Sequence, residues 1–180
     1  MPSDQYLRVV RRLAPAPNGG FWSARWLFMY ELTLWDSNGT MRRRLIPQAG
    51  WYRPYDVVRR PTTDAPPQAA VSGLWEDAEG RLWVLGFAPD PRWRRGLGPV
   101  TTVEGRPSQP VLDRDAVFDT VIDVFDLGSN TLLATHRIDA VYQFVVAPGV
   151  IAGVREDDDG NLRVEVVRAT LGQPATRRMP

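Results

Sequence analysis

An all-β fold of antiparallel sheets stacked face to face is what this sequence predicts, and three observations carry the prediction. Most apolar runs are short and alternate with period 2, the period of a strand. The chain holds 16 Pro and 15 Gly, which interrupt it too often for many helices. One form of turn recurs: Trp35-Asp36-Ser37-Asn38-Gly39, Glu76-Asp77-Ala78-Glu79-Gly80 and Glu156-Asp157-Asp158-Asp159-Gly160. Their glycines, 39, 80 and 160, stand close to one and two intervals of about forty residues apart.

Taken in order, Tyr6–Leu13 reads as a strand, ended by Ala14-Pro15-Ala16-Pro17-Asn18-Gly19-Gly20. Phe21–Trp35 is the most aromatic stretch and reads as a strand pair or one long strand, with Thr40–Ile46 returning from its turn. Trp51-Tyr52-Arg53-Pro54-Tyr55 reads as a rigid aromatic corner, Asp56–Arg60 as a short strand and Pro61–Ala70 as a loop. Val71–Trp75 and Arg81–Phe87 form the hairpin that organises the chain, around a turn in which Gly80 takes positive φ and Asp77 bonds backbone N–H groups. Neither alternating face of Arg81–Phe87 is strongly polar, so this hairpin is expected to be covered on both sides.

Ala88–Val117 shows no periodicity and reads as a long inserted loop, of the kind that is functional or disordered. Phe118–Phe125 and Leu132–Ile138 read as the next hairpin. Val141–Val146, Val150–Arg155 and Leu162–Ala169 close the pattern, and 173–180 reads as a flexible tail. The tryptophans Trp22, Trp26, Trp35, Trp75 and Trp83 are expected in the core between sheets, where each buries on the order of 150–250 Å².

A forty-residue period with several short strands per unit marks the blades of a β-propeller, in which thin sheets hide one another's faces. GLWEDAEGRLWVLG resembles the inner-strand signature of six-bladed propellers of the NHL/TolB-like kind. DTVIDVFDLGSNTLLATHRID resembles the outer hairpin of such a blade, and REDDDGNLRVEVVRATL a later one. The resemblance implies antiparallel four-stranded sheets stacked as blades of a partial β-propeller over 1–172, with blades at 19–60, 70–139 and 141–171. About 12 strands make three blades, fewer than the roughly four to eight of a closed propeller. The chain therefore reads as part of a longer propeller, a truncated reading frame, or a half completed by a second copy. Strand 6–13 is expected to complete the last blade beside Leu162–Ala169.

Composition narrows the chemistry. A formal net charge of +1 argues against a polyanionic partner, so nucleic acid is not expected, although all 22 basic residues are Arg. The absence of Cys removes disulfides, thiolate metal sites and Cys nucleophiles. No signal peptide and no membrane-spanning stretch is visible, so no membrane partner is expected. The resemblance instead hints at an exported full-length form, and localisation stays open.

Motifs for catalysis are missing: no P-loop, no GxGxxG after a strand, no HExxH. His136 has no sequence-adjacent nucleophile or orienting group and reads as a strand residue. Asp157-Asp158-Asp159-Gly160 fails the EF-hand pattern, with Arg155 at the first ligand position and Val166 at the twelfth, and reads as a hairpin turn. No catalytic residue, cofactor or metal is expected. The candidate contact surface is Arg92, Trp93, Arg94 and Arg95 in the long loop, with Trp93 as a stacking platform and Arg42-Arg43-Arg44 and Arg59-Arg60 extending it. The expected function is a non-enzymatic binding or scaffold module acting through blade-top loops on a protein or small ligand. The alternative, from what the resemblance implies, is a metal-dependent lyase or lactonase-type enzyme.

Overall fold

The computed structural model describes residues 4–59, 62, 64–99, 102–103, 106–107, 112–157 and 159–172. A short helix α1 (Asp4–Val9) leads into a first sheet of four strands, β1 (Arg11–Pro15), β2 (Phe21–Arg25), β3 (Leu32–Trp35) and β4 (Met41–Leu45). The next pair is β5 (Ala70–Glu76) and β6 (Arg81–Pro89). The segment after β6 holds a 3₁₀ turn (Trp93–Gly96), a two-stranded ladder of β7 (Thr102–Val103) and β8 (Arg106–Pro107), and one helical turn α2 (Arg114–Val117). Then β9 (Phe118–Asp126) and β10 (Thr131–Ile138) complete a middle sheet of order β10-β9-β6-β5. A third sheet follows, β11 (Phe144–Ala147), β12 (Val150–Glu156) and β13 (Leu162–Arg168). All pairings are antiparallel, and each sheet meanders from its first strand outwards.

The chain is all-β, as its sequence implies, and β5–β6 is covered on both faces. Along β6, Leu82 and Val84 point into a core shared with the first sheet, together with Trp22, Leu32, Val71 and Phe125. Trp83 and Leu85 alternate to the other side, against Ile122, Val124 and Ile151 of the third-sheet core. Full burial of each such side chain is worth about 1.5–3 kcal/mol, so this hairpin holds three layers together. The aromatic corner behaves as read: Trp51, Tyr52 and Tyr55 pack with Tyr30 and Phe28, with the Tyr30–Trp51 centroids 5.1 Å apart. Gly86 makes room for it, since a Cβ there would collide with the Trp51 ring.

The recurring turn is one physical device. Asp36, Asp77 and Asp157 each accept, through Oδ1, backbone N–H bonds from residues two and four further on, at 2.8–3.1 Å. In each, Oδ2 takes a donor from the side chain six residues on: Arg42 Nε at 2.8 Å, Trp83 Nε1 at 2.7 Å and Arg163 Nη2 at 2.8 Å. Gly39, Gly80 and Gly160 follow at φ of 78°, 72° and 80°. Yet the device joins the third and fourth strands of the first sheet, the first and second of the middle one, and the second and third of the last. The sheets begin at Arg11, Ala70 and Phe144, so the forty-residue interval marks turns and not sheets.

Several expectations are corrected. Tyr6–Leu13 is not one strand: Asp4–Val9 is helical, Val9 is 67% exposed, and strand pairing starts at Arg11. A helix of that length needs only Leu7 facing inwards, whereas a strand would bury Leu7 and Val9 together. Nor does this segment complete the last sheet, because β1 bonds to β2 and β13 has only β12 as a partner among the described residues. The first sheet accordingly runs Arg11–Leu45, inside and before 19–60. Residues 56–59 form no strand. Part of 88–117 is folded, with Asp113 capping α2 through Asp115 N at 3.1 Å and Ala116 N at 3.4 Å. The tail at 173–180 lies outside the described residues.

Candidate functional site

Each sheet ends on its first strand, β1, β5 or β11, and these three edges line one groove of about 1150 Å³. Ala14 of β1 shares a core with Val71 and Leu74 of β5, which fixes one wall to the other. At Gly73 a Cβ would stand 2.6 Å from Val145 Cγ2, so only glycine admits β11 this close to β5.

The groove is apolar and aromatic, with three arginines in its lining, Arg12, Arg59 and Arg114. Arg12 lies beside Ala14 in the inward register of β1, and its guanidinium sits 5.1 Å from the centroid of Trp26. Arg12 Nε is buried without a hydrogen-bond partner, and Arg12 forms no ion pair among the described residues. Arg114, presented by the capped turn α2, lies 4.9 Å over Phe87 and donates to Gln143 Oε1. Burial lowers its pKa, with Asp115 opposing. Tyr55 lines the same groove and donates to the Ala69 carbonyl at 3.1 Å. Glu76 is the acidic residue of the lining, and its Oε2 accepts Trp22 Nε1 at 2.6 Å. An apolar body carrying an anionic group matches this lining: rings accept the body, and a guanidinium with an unmet donor accepts the anion.

The loop candidates sit elsewhere. Arg92, Trp93, Arg94 and Arg95 do not line the groove; they close the end of the middle sheet. Trp93 is 5% exposed, so it is a core residue under its loop and not a stacking platform. Arg94 lies 4.6 Å over its ring, and Gly96 packs against Val117. Arg92 is bound to Asp139 at 3.2 Å and approaches Asp90 at 3.7 Å. Asp90, Asp119 and Asp139 bring one carboxylate oxygen each within 4.8 Å of one another. Arg137 donates to Asp119 and to the Pro89 carbonyl, so Arg92 and Arg137 answer most of that charge. Burial nevertheless pushes the Asp119 pKa up, against the pull of Arg137 and with the push of Asp90 and Asp139.

Arg42, Arg43 and Arg44 do not extend a basic surface: they bond Asp36, the Leu127 carbonyl and Glu31. His136 is an exposed residue of β10. Trp22, Trp75 and Trp83 are core residues as expected, whereas Trp26 lines the groove and Trp35 lies on the outer face of the first sheet. Sequence reasoning missed Arg12, Tyr55 and Arg114. The one available signal was period 2 within Arg11–Pro15, which places Arg12 on the face of Ala14. Comparison with known protein families, curated proteins and solved structures finds no match.

Proposed function

We propose that this chain is a non-enzymatic binding or scaffold module of the β-propeller type, and that it holds its partner in the groove between β1, β5 and β11. The observation that supports this most directly is Arg12: a guanidinium on Trp26, with a buried Nε–H that has no acceptor, in an aromatic-lined groove. The blade reading is supported by three meanders that each turn their first strand towards that groove. The ligand class that fits is an aromatic or aliphatic group bearing a carboxylate, on a small molecule or at a peptide end.

The test is a protein-observed NMR titration with 3-phenylpropionate and with its amide. The carboxylate is expected to shift the Trp26 indole saturably, and Arg12→Gln to weaken it about tenfold, the scale of one charge-assisted hydrogen bond. Equal binding of acid and amide, or no saturable shift, overturns the reading. The alternative, a metal-dependent lyase or lactonase, needs carboxylates converging on the groove, where Glu76 already serves Trp22. Elemental analysis with a thermal shift in EDTA tests that alternative.

A further inference from the structure

Two sheet faces of this molecule carry exposed apolar side chains on which no described residue packs. On the third sheet, Leu162, Val164 and Val166 are 71%, 69% and 56% exposed, and Phe144 is 52% exposed. Register puts them on one side, since Val166 pairs with Ala152 and Ala152 with Phe144, while Ile151 and Val167 face the middle sheet. On the first sheet, Leu13, Phe21 and Met41 are 65%, 36% and 52% exposed, beside Trp35. A monomer seldom leaves such patches open.

Charge on the two faces is opposite at the same end. Where β1 begins, Arg11, Arg25 and Arg44 surround Glu31, which bonds Arg25 at 2.6 Å and Arg44 at 3.1 Å. Burial lowers the Arg11 pKa, with Arg25 adding to the effect and Glu31 opposing it. Where β11 begins, β12 ends, and there Glu156 and Asp159 are exposed. The first strands run in one sense: Trp22, opposite Ala14 near the end of β1, bonds Glu76 at the end of β5, and Ala70 at the start of β5 packs with Val141 just before β11. A third sheet laid on a first sheet in that same sense brings Glu156 and Asp159 against the three arginines.

We propose that two copies of this chain associate about a two-fold axis, the outer face of each third sheet covering the outer face of the other copy's first sheet. Six sheets then form one closed stack, and neither end face stays open; the inference rests on the blade part of the reading above, not on the ligand. Strand spacing and rise give each face on the order of 350 Å² in projection. Two faces per copy therefore approach the roughly 800 Å² per partner of a standard interface. Because each contact occurs twice, a loss at one residue counts twice in the dimer.

Light scattering on the eluted protein is expected to give twice the single-chain mass of 20.3 kDa. Val164→Glu is expected to return the mass to one chain with an unchanged far-ultraviolet circular dichroism spectrum. Glu156→Arg is expected to weaken the dimer about tenfold, and Glu156→Arg with Arg44→Glu in one chain to restore it, on the scale of a modest ion pair used twice. A single-chain mass at every concentration, a mass that grows without limit, or a dimer indifferent to both sets of variants overturns the inference. The phenylpropionate titration reads the groove separately, so a monomer that still binds the acid overturns the dimer alone.

Discussion

The carboxylate of Asp123, with none of its surface exposed, accepts a 2.9 Å hydrogen bond from the hydroxyl of Tyr30. That bond joins the middle sheet to the β2–β3 connection of the first. The same oxygen accepts Trp51 Nε1 at 2.9 Å, and the other accepts Thr135 Oγ1 at 2.6 Å. Three donors and no ion pair among the described residues hold this group, so each donor matters more than an exposed one would. Tyr30→Phe is expected to cost about 1–3 kcal/mol, because the buried oxygen loses a donor that water cannot replace. Urea unfolding measures it; a loss well under 0.5 kcal/mol, roughly the level of an inert surface change, would contradict the buried network.

Alkali should unfold the protein through the same cluster. Burial, and then Asp123, raise the Tyr30 pKa well above 10; burial also raises Tyr52, and raises Tyr55 to about 12. Above pH 10 the unfolded chain releases protons that the folded chain keeps. The native state then binds more protons, and stability falls as pH rises, by roughly 1.4 kcal/mol per unit for each proton kept. Denaturant midpoints between pH 9 and pH 11.5 should drop, and Tyr30→Phe with Tyr55→Phe should flatten the slope. A midpoint that holds constant to pH 11.5 would show these hydroxyls titrating normally.

Acid acts on the turns. Burial alone would raise the Asp77 pKa, but hydrogen bonds from Trp83 and Arg81 hold it below the ordinary value. The backbone N–H of Thr40 holds Asp36 low, and that of Asn161 holds Asp157 low. Each group's contribution is therefore present above about pH 4 and is lost as pH falls through its depressed folded pKa. Asp77→Ala should cost about 1–3 kcal/mol at neutral pH, since it strips two backbone donors and the Trp83 indole of their acceptor. It should also remove part of the acid dependence. An acid transition unchanged in this variant would mean that other carboxylates carry it.

These turns also show how far the sequence could be read. Asp and Gly at fixed spacing predict a hairpin turn for local reasons, and every such turn is where it was read. They say nothing of which strands of a sheet they join, so their spacing near forty misplaced the sheet boundaries. Those boundaries fall where the chain leaves an outer strand for the next inner one, at residues 46–69 and 139–143, which carry no shared motif. The groove was hidden for the same reason. Arg12, Tyr55 and Arg114 meet only because three strand edges converge, whereas Arg92–Arg95 stand out by local charge, of which Arg92 pairs with Asp90 and Asp139 and Arg94 lies over the Trp93 ring.

Gly20 should tolerate substitution far less than Gly19, although both have positive φ, 88° and 80°. A Cβ at Gly19 would meet nothing within 4 Å, while one at Gly20 would run into the Trp35 carbonyl and the Asp36 backbone. Gly19→Ala pays the left-handed conformation alone, about 1 kcal/mol, and Gly20→Ala adds a backbone collision that moves β2 from β3, about 3 kcal/mol or more. Thermal melts of the two variants side by side measure the difference. Equal losses would mean that the β1–β2 turn relaxes freely.

Trp83 belongs to the core that joins the middle and third sheets. It is 5% exposed, stacks on Trp75 with centroids 5.2 Å apart and planes at 15°, and donates its indole N–H to Asp77. Trp83→Ala opens a cavity in the core that joins the two sheets and frees the turn carboxylate, so the expected cost is about 3–5 kcal/mol. Trp83→Phe keeps a ring on Trp75 but loses the bond to Asp77, and should cost less, about 1–2 kcal/mol, much of it the missing donor. Chemical denaturation of both variants separates packing from hydrogen bonding. A Trp83→Ala loss below about 1 kcal/mol would mean that the third sheet does not close over this hairpin in solution.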